Sequence, residues 1–126
     1  MPRDARKYLF GIAEASKLVS EFVAGRTLDD YLKSALLQSG VERQFEIIGE
    51  AIGQLAKVDQ QLVSRITDYQ KIVSFRNVQI HGYADVDDEL VWDIVETRLH
   101  VLREECLRQH AAQVAVKSSS HLCAHR

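Results

Sequence analysis

One stretch of the chain, Ser74-Phe75-Arg76-Asn77-Val78-Gln79-Ile80-His81-Gly82-Tyr83, brings an arginine, an asparagine, a histidine and a tyrosine together at the end of an apolar-periodic segment. A guanidinium suits phosphate and other planar anions, and an imidazole exchanges protons near neutral pH. Positions 76 and 81 are five apart, so on an ideal helix they are rotated by about 140° and displaced by about 7.5 Å. They are not stacked neighbours, and one copy supplies only a loose pair. The same residues also suit a structural part, with Arg76 on the surface, His81 as the cation at a helix C-terminus and Tyr83 packed over the cap.

Other groups are weaker candidates. Glu42, Glu46 and Glu50 share helical faces, where carboxylates are ordinarily solvated or ion-paired. Asp85-Val86-Asp87-Asp88 lacks the ligand spacing of a calcium loop and suits a helix N-terminus. His121, Cys123 and His125 have no second ligand cluster, so no metal site and no cofactor is expected. The chain carries no Gly-rich phosphate loop, nucleophile elbow, His-Glu-x-x-His or Cys-x-x-Cys, which excludes the enzyme classes those motifs mark.

The elements that must position this stretch read as helices. Between Asp4 and about Ala24, Ala5, Tyr8, Leu9, Ile12, Ala15, Val19 and Phe22 recur at three- and four-residue steps, and Gly25 suits the C-cap. Thr27 and Asp30 form a capping box for a short helix through Lys33, which runs on or kinks near Gly40 into a long one. There Val41, Phe45, Ile48, Ile52 and Leu55 step 4, 3, 4, 3. Gly49 and Gly53 lie on that helix, as a ligand groove or as a place of close helix approach. Asp59–Arg65 reads as a connection. Thr67 and Gln70 then form a second capping box for a helix through Ile72, Val73, Phe75 and Ile80, ending at His81 because Gly82 suits the C′ position. The last helix is expected from about Asp88 to Gln109 along Trp92, Val95, Leu99, Leu102 and Cys106, the cysteine being a small core residue. The expectation is an all-α, up-and-down antiparallel bundle with four major helices over residues 1–112 and a flexible tail over 113–126.

Composition bounds the function. With 126 residues, one proline at position 2 and six glycines, the chain lacks the turn punctuation of a β-sandwich. The formal net charge of −2 speaks against binding duplex DNA by broad phosphate neutralisation and leaves a local basic site open. Two cysteines make no disulfide framework. No 18-residue apolar run exists and MPRDARKYLF lacks a signal-peptide core, so a soluble cytoplasmic protein without membrane contact is expected. A chain this small has little room for a private pocket, so an active site is expected to be shallow or shared between subunits.

Arg76, four residues, His81, one residue, Tyr83 matches the Arg-x-x-x-x-His-x-Tyr pattern of the HepT-like branch of HEPN domains. Phe45-Glu46-Ile47-Ile48-Gly49-Glu50-Ala51-Ile52 resembles that family's second-helix signature, and Val86-Asp87 with Val91-Trp92-Asp93-Ile94-Val95 resembles its final helix. The likeness covers roughly Arg6 to Glu105. One departure is Tyr69, where the family often has a tryptophan, with no proline before it.

The resemblance implies a homodimeric RNase toxin of a toxin–antitoxin pair, with Arg76 and His81 catalytic. It also implies that a minimal nucleotidyltransferase antitoxin adenylylates Tyr83. A two-fold dimer would set two arginines and two histidines across one cleft. That set suits metal-independent RNA cleavage, one His81 taking the 2′-OH proton and the other protonating the leaving 5′-oxygen. Asn77 either orients the scissile phosphate or bonds locally. The alternative is a non-catalytic subunit that binds nucleotide or substrate for a nucleotidyltransferase, gripping phosphate with Arg76 and His81.

Overall fold

Six helices have both ends described in the computed structural model: α1 (Pro2–Val23), α2 (Leu28–Lys33), α3 (Ala35–Val58), α4 (Gln60–Ser64), α5 (Asp88–Thr97) and α6 (Leu99–Ala124). The structure describes residues 2–67, 69–70, 72–73 and 88–124, with side chains from Ala5 to Val114 within those spans. Positions 69, 70, 72 and 73 are helical as well, and there is no strand among the described residues. The all-α expectation therefore holds.

The apolar steps read from the sequence become the core. Leu9, Ile12 and Val19 of α1, Val41, Phe45, Ile48, Ile52 and Leu55 of α3, and Leu99, Leu102 and Cys106 of α6 are all buried in one cluster. Helix α1 packs along both α3 and α6 and so sits between them. The buried polar side chain of α1, Ser16, is satisfied within its own helix, its hydroxyl donating to the Ile12 carbonyl at 2.8 Å.

The punctuation follows local chemistry. After α1 the chain turns through Gly25 at φ 74°, a left-handed conformation that a Cβ would penalise, and the Arg26 N–H donates to the Val23 carbonyl at 2.9 Å. The Thr27–Asp30 capping box is present in both directions, at 3.0 and 3.2 Å. The Thr27 backbone N–H is the main cause holding the Asp30 carboxyl below its ordinary value. A lowered carboxyl of this kind favours the fold above its ordinary value of 3.8 and loses that contribution as the pH falls through the lowered one.

Four expectations need correction. The helix break falls at Ser34, and α3 passes straight through Gly40. Ser34 takes an extended conformation and accepts the Leu37 N–H at 3.1 Å, while Gln38 Nε2 donates to the Tyr31 and Leu32 carbonyls left over at the end of α2. Residues 59–65 are more than a connection. Asp59 caps α4 by accepting the Leu62 N–H, and Leu62 and Val63 enter the core, an apolar pair too short to show a period. The last helix is divided by a turn at Arg98, although Trp92, Val95, Leu99, Leu102 and Cys106 all stay buried. Helix α6 then continues to Ala124, past Gln113 where the apolar period fades. The rest of the helix expected to end at His81, Gly82 with it, lies outside the described residues, as does the acidic run up to Asp87.

Gly49 is buried, but Gly53 is exposed and a Cβ there would meet nothing within 4 Å, so no helix among the described residues approaches it closely. Gly53→Ala is therefore expected to raise unfolding free energy by about 0.5–1 kcal/mol in urea titration, through helix propensity alone. A loss instead would show that a neighbouring chain covers this face.

Candidate functional site

Arg76, Asn77, His81 and Tyr83 lie in the span 74–87, outside the described residues, so the structure defines the frame that delivers and receives that span. The entry end is anchored twice. Ile66 and Ile72 are buried in the core, and Tyr69 and Val73 pack partly against it. Beside them the Thr67 backbone N–H donates to Glu105 Oε1 at 3.0 Å and its hydroxyl to Glu105 Oε2 at 2.8 Å.

The sequence pairs Thr67 with Gln70, three residues on. The structure instead joins Thr67 to Glu105 of α6, 38 residues away, while Gln70 Nε2 lies 3.5 Å from the Tyr69 hydroxyl. A carboxylate taking a backbone N–H and a hydroxyl forms two charge-assisted hydrogen bonds, shared between the start of the segment and the last helix. No sequence spacing points to Glu105. The nearest hint is that Cys106 beside it belongs to the apolar stripe, which places position 105 at the edge of the buried face.

The exit end is held by α5. Val91 and Trp92 are buried, and the Trp92 ring meets the ring of Tyr31 from α2 with centroids 5.5 Å apart at 39°. Tyr31 is fully buried, and its hydroxyl finds no hydrogen-bond partner among the described residues. Burial first, then the charges of Glu42 and Asp88, raise that hydroxyl above its ordinary value, so it stays neutral at physiological pH. Nothing in the sequence marks Tyr31, because a tyrosine in a six-residue helix shows no period.

The weaker candidates take structural parts. Glu46 pairs with Arg43 at 3.1 Å on an exposed face. Glu50 lines an open cleft of about 470 Å³ with Tyr8, Ile47, Ala51 and Gln54, and none of these five carries a positive charge to hold phosphate. Burial, with Glu105 second, pushes the Cys106 thiol up to about 12, so Cys106 is a core thiol and no nucleophile. Among the described residues no group of three or more His, Cys, Asp and Glu is placed to hold a metal ion. No helix among them is long and apolar enough to cross a membrane.

The family described as Ribonuclease HepT-like matches residues 12–108. A protein of Methanocaldococcus jannaschii named "Gamma-glutamylcyclotransferase and putative RNase" is 34% identical over 108 residues, 86% of this chain and 48% of its own length. The chain thus spans about half of that relative. The "Probable ribonuclease HepT" of Thermococcus cleftensis is 32% identical over 103 residues, 82% of this chain and 93% of its own. A "Putative RNase" of Methanocaldococcus jannaschii is 32% identical over 75% of this chain and 78% of its own length. No solved structure matches the chain.

The Thr67–Glu105 contact predicts energetic coupling between the turn after α4 and helix α6. In a double-mutant cycle of Thr67→Ala and Glu105→Ala, urea titration should give a coupling of about 0.5–1.5 kcal/mol, discounted for an exposed pair. Additive losses would mean that the contact contributes nothing to the fold.

Proposed function

The chain belongs to the HepT-like ribonuclease family, and on that premise we propose that it is a metal-independent endoribonuclease, the toxin of a toxin–antitoxin pair. The observation that carries the reading is the coincidence of two facts. The family match covers residues 12–108, and Arg76-x-x-x-x-His81-x-Tyr83 lies inside that range. On either side of that span the described chain is anchored in the core, by Ile72 before it and by Val91 and Trp92 after it.

The active unit is a homodimer. Two copies related by a two-fold axis repeat each patch across the contact, so a cleft there holds two Arg76 and two His81. One His81 accepts the proton of an RNA 2′-OH, whose oxygen attacks the adjacent phosphorus. The P–O5′ bond breaks, and the second His81 protonates the leaving oxygen. Arg76 stabilises charge on the phosphoryl group, and Asn77 orients the scissile phosphate. The products are a 2′,3′-cyclic phosphate and a free 5′-OH. DNA, without the 2′-OH, is not cut.

Tyr83 is the control point, adenylylated by a minimal nucleotidyltransferase antitoxin. Its hydroxyl attacks the α-phosphorus of ATP and pyrophosphate leaves. The added phosphate places negative charge and bulk two residues from His81, occupies the arginines and blocks RNA. A near-neutral chain that grips RNA through a small cluster is one that a few phosphates can shut off.

Two experiments test this. Purified protein incubated with RNA should cleave it equally with and without chelator. Arg76→Ala and His81→Ala should each lower the rate by about 100-fold or more. Cleavage that persists in both variants would refute the assignment. After incubation with the partner enzyme and ATP, mass spectrometry should place adenylate on the Tyr83 peptide with cleavage lost, whereas modification confined to other peptides would end the switch model.

A further inference from the structure

Where α1 packs along α3, Tyr8 of the first helix and Ile47, Glu50, Ala51 and Gln54 of the other line an open cleft of about 470 Å³. The volume is that of a small-ligand site. Tyr8, Ile47 and Ala51 are half-buried and pack against the core, so they form a fixed wall. Glu50 and Gln54 stand one turn apart on α3, which places both polar heads on one face of the helix. Neither side chain makes a hydrogen bond or an ion pair among the described residues, whereas Glu46, one turn before, is paired with Arg43 at 3.1 Å.

The chemistry of these groups is selective. A carboxylate only accepts hydrogen bonds, while the Gln54 amide can also donate. The ligand that satisfies both beside an aromatic wall is planar, with two adjacent N–H donors for Glu50 and a carbonyl oxygen for Gln54. Guanine alone among the RNA bases has that edge, with N1–H and N2–H side by side and O6 next to them. Adenine and cytosine offer one amino group beside a ring acceptor, and uracil one N–H between two carbonyls. An arginine of another protein would also present paired donors to Glu50. The place it would take over the ring is already held by a cation, because the Lys7 ammonium lies over Tyr8, 5.8 Å from the ring centroid.

We propose that this cleft binds an unpaired guanine base of RNA and so sets a base preference, an inference that rests on RNA being the substrate. Glu50 accepts from guanine N1–H and N2–H, the Gln54 amide donates to O6, and the base lies along Tyr8, Ile47 and Ala51. A base pair hides this edge, so duplex RNA is not read here. None of the five lining residues is cationic, which suits a neutral base inside the cleft and its phosphates outside. Lys7, and Lys57 exposed one turn beyond Gln54 on the same face of α3, are the cations nearest in the chain to meet those phosphates.

The test titrates the full chain into fluorescein-labelled 2′-O-methyl hexanucleotides of uridine that carry one guanine, one hypoxanthine or one adenine, followed by anisotropy. These probes have no 2′-OH to attack, so binding is read whether or not the chain cuts RNA. The guanine probe should bind saturably. Hypoxanthine, which lacks the N2 amino group, and adenine should bind about tenfold more weakly. Glu50→Gln should weaken guanine binding about tenfold and erase its advantage over hypoxanthine. Gln54→Ala should weaken guanine and hypoxanthine alike, since both carry O6. Circular dichroism confirms that both variants keep their helices. Absence of saturable binding, equal binding of all three probes, or a guanine preference that survives Glu50→Gln each overturns the proposal. A labelled Ser-Arg-Ser peptide that binds through Glu50 when the guanine probe does not would make the cleft a protein-docking site, and the proposal also fails. A Glu50-dependent guanine preference in a chain that cuts no RNA would sink the ribonuclease reading and leave this one, and cleavage without the preference would do the reverse.

Discussion

Burial of the α1 stripe between α3 and α6 is the contact on which the rest of the structure depends. Leu9, Ile12 and Val19 are fully buried, and each such side chain taken out of water contributes about 1.5–3 kcal/mol. Helix α1 is the element shared by both long partners, so it holds the flanking helices in place relative to each other. Ser16 sits on this stripe at little cost, because its hydroxyl is satisfied one turn back in the same helix.

That sandwich fixes where the chemistry-bearing span begins and ends. Once α6 is seated on α1, Glu105 stands beside buried Cys106 at the position where the chain leaves Ile66, and Thr67 closes on it through two hydrogen bonds. Once α2 is capped and seated on α3, Tyr31 stands under Trp92 and receives the start of α5. The residues that resemble a ribonuclease site therefore lie between two anchored ends, in a chain whose own core is too small for a deep pocket. The proposed two-fold cleft supplies what a single copy lacks.

The same economy shows in the charges. Four acids are used in caps and short-range pairs: Asp30 with Thr27, Asp29 with Lys33, Glu46 with Arg43 and Asp59 with the Leu62 N–H. Two of these are ion pairs, and in the other two a carboxylate keeps its charge while it caps a helix.

The seams of α1, α3 and α6, the Gly25 turn and the Thr27–Asp30 box were legible in the sequence because each depends on residues three or four apart, a spacing set by the helical backbone itself. The identity of Arg76, Asn77, His81 and Tyr83 as candidates was equally legible, from residue type and pattern. The break at Ser34 also rests on near neighbours, the Leu37 N–H on the Ser34 hydroxyl and Gln38 reaching back to Tyr31 and Leu32, but the apolar seam does not mark it. Tertiary structure alone gave Leu62 and Val63 a core to enter, buried Tyr31 against Trp92, and joined Thr67 to Glu105. The reason is range. Periodicity and caps are satisfied within one turn, whereas a hydrogen bond across 38 residues exists only after two helices have packed on a third.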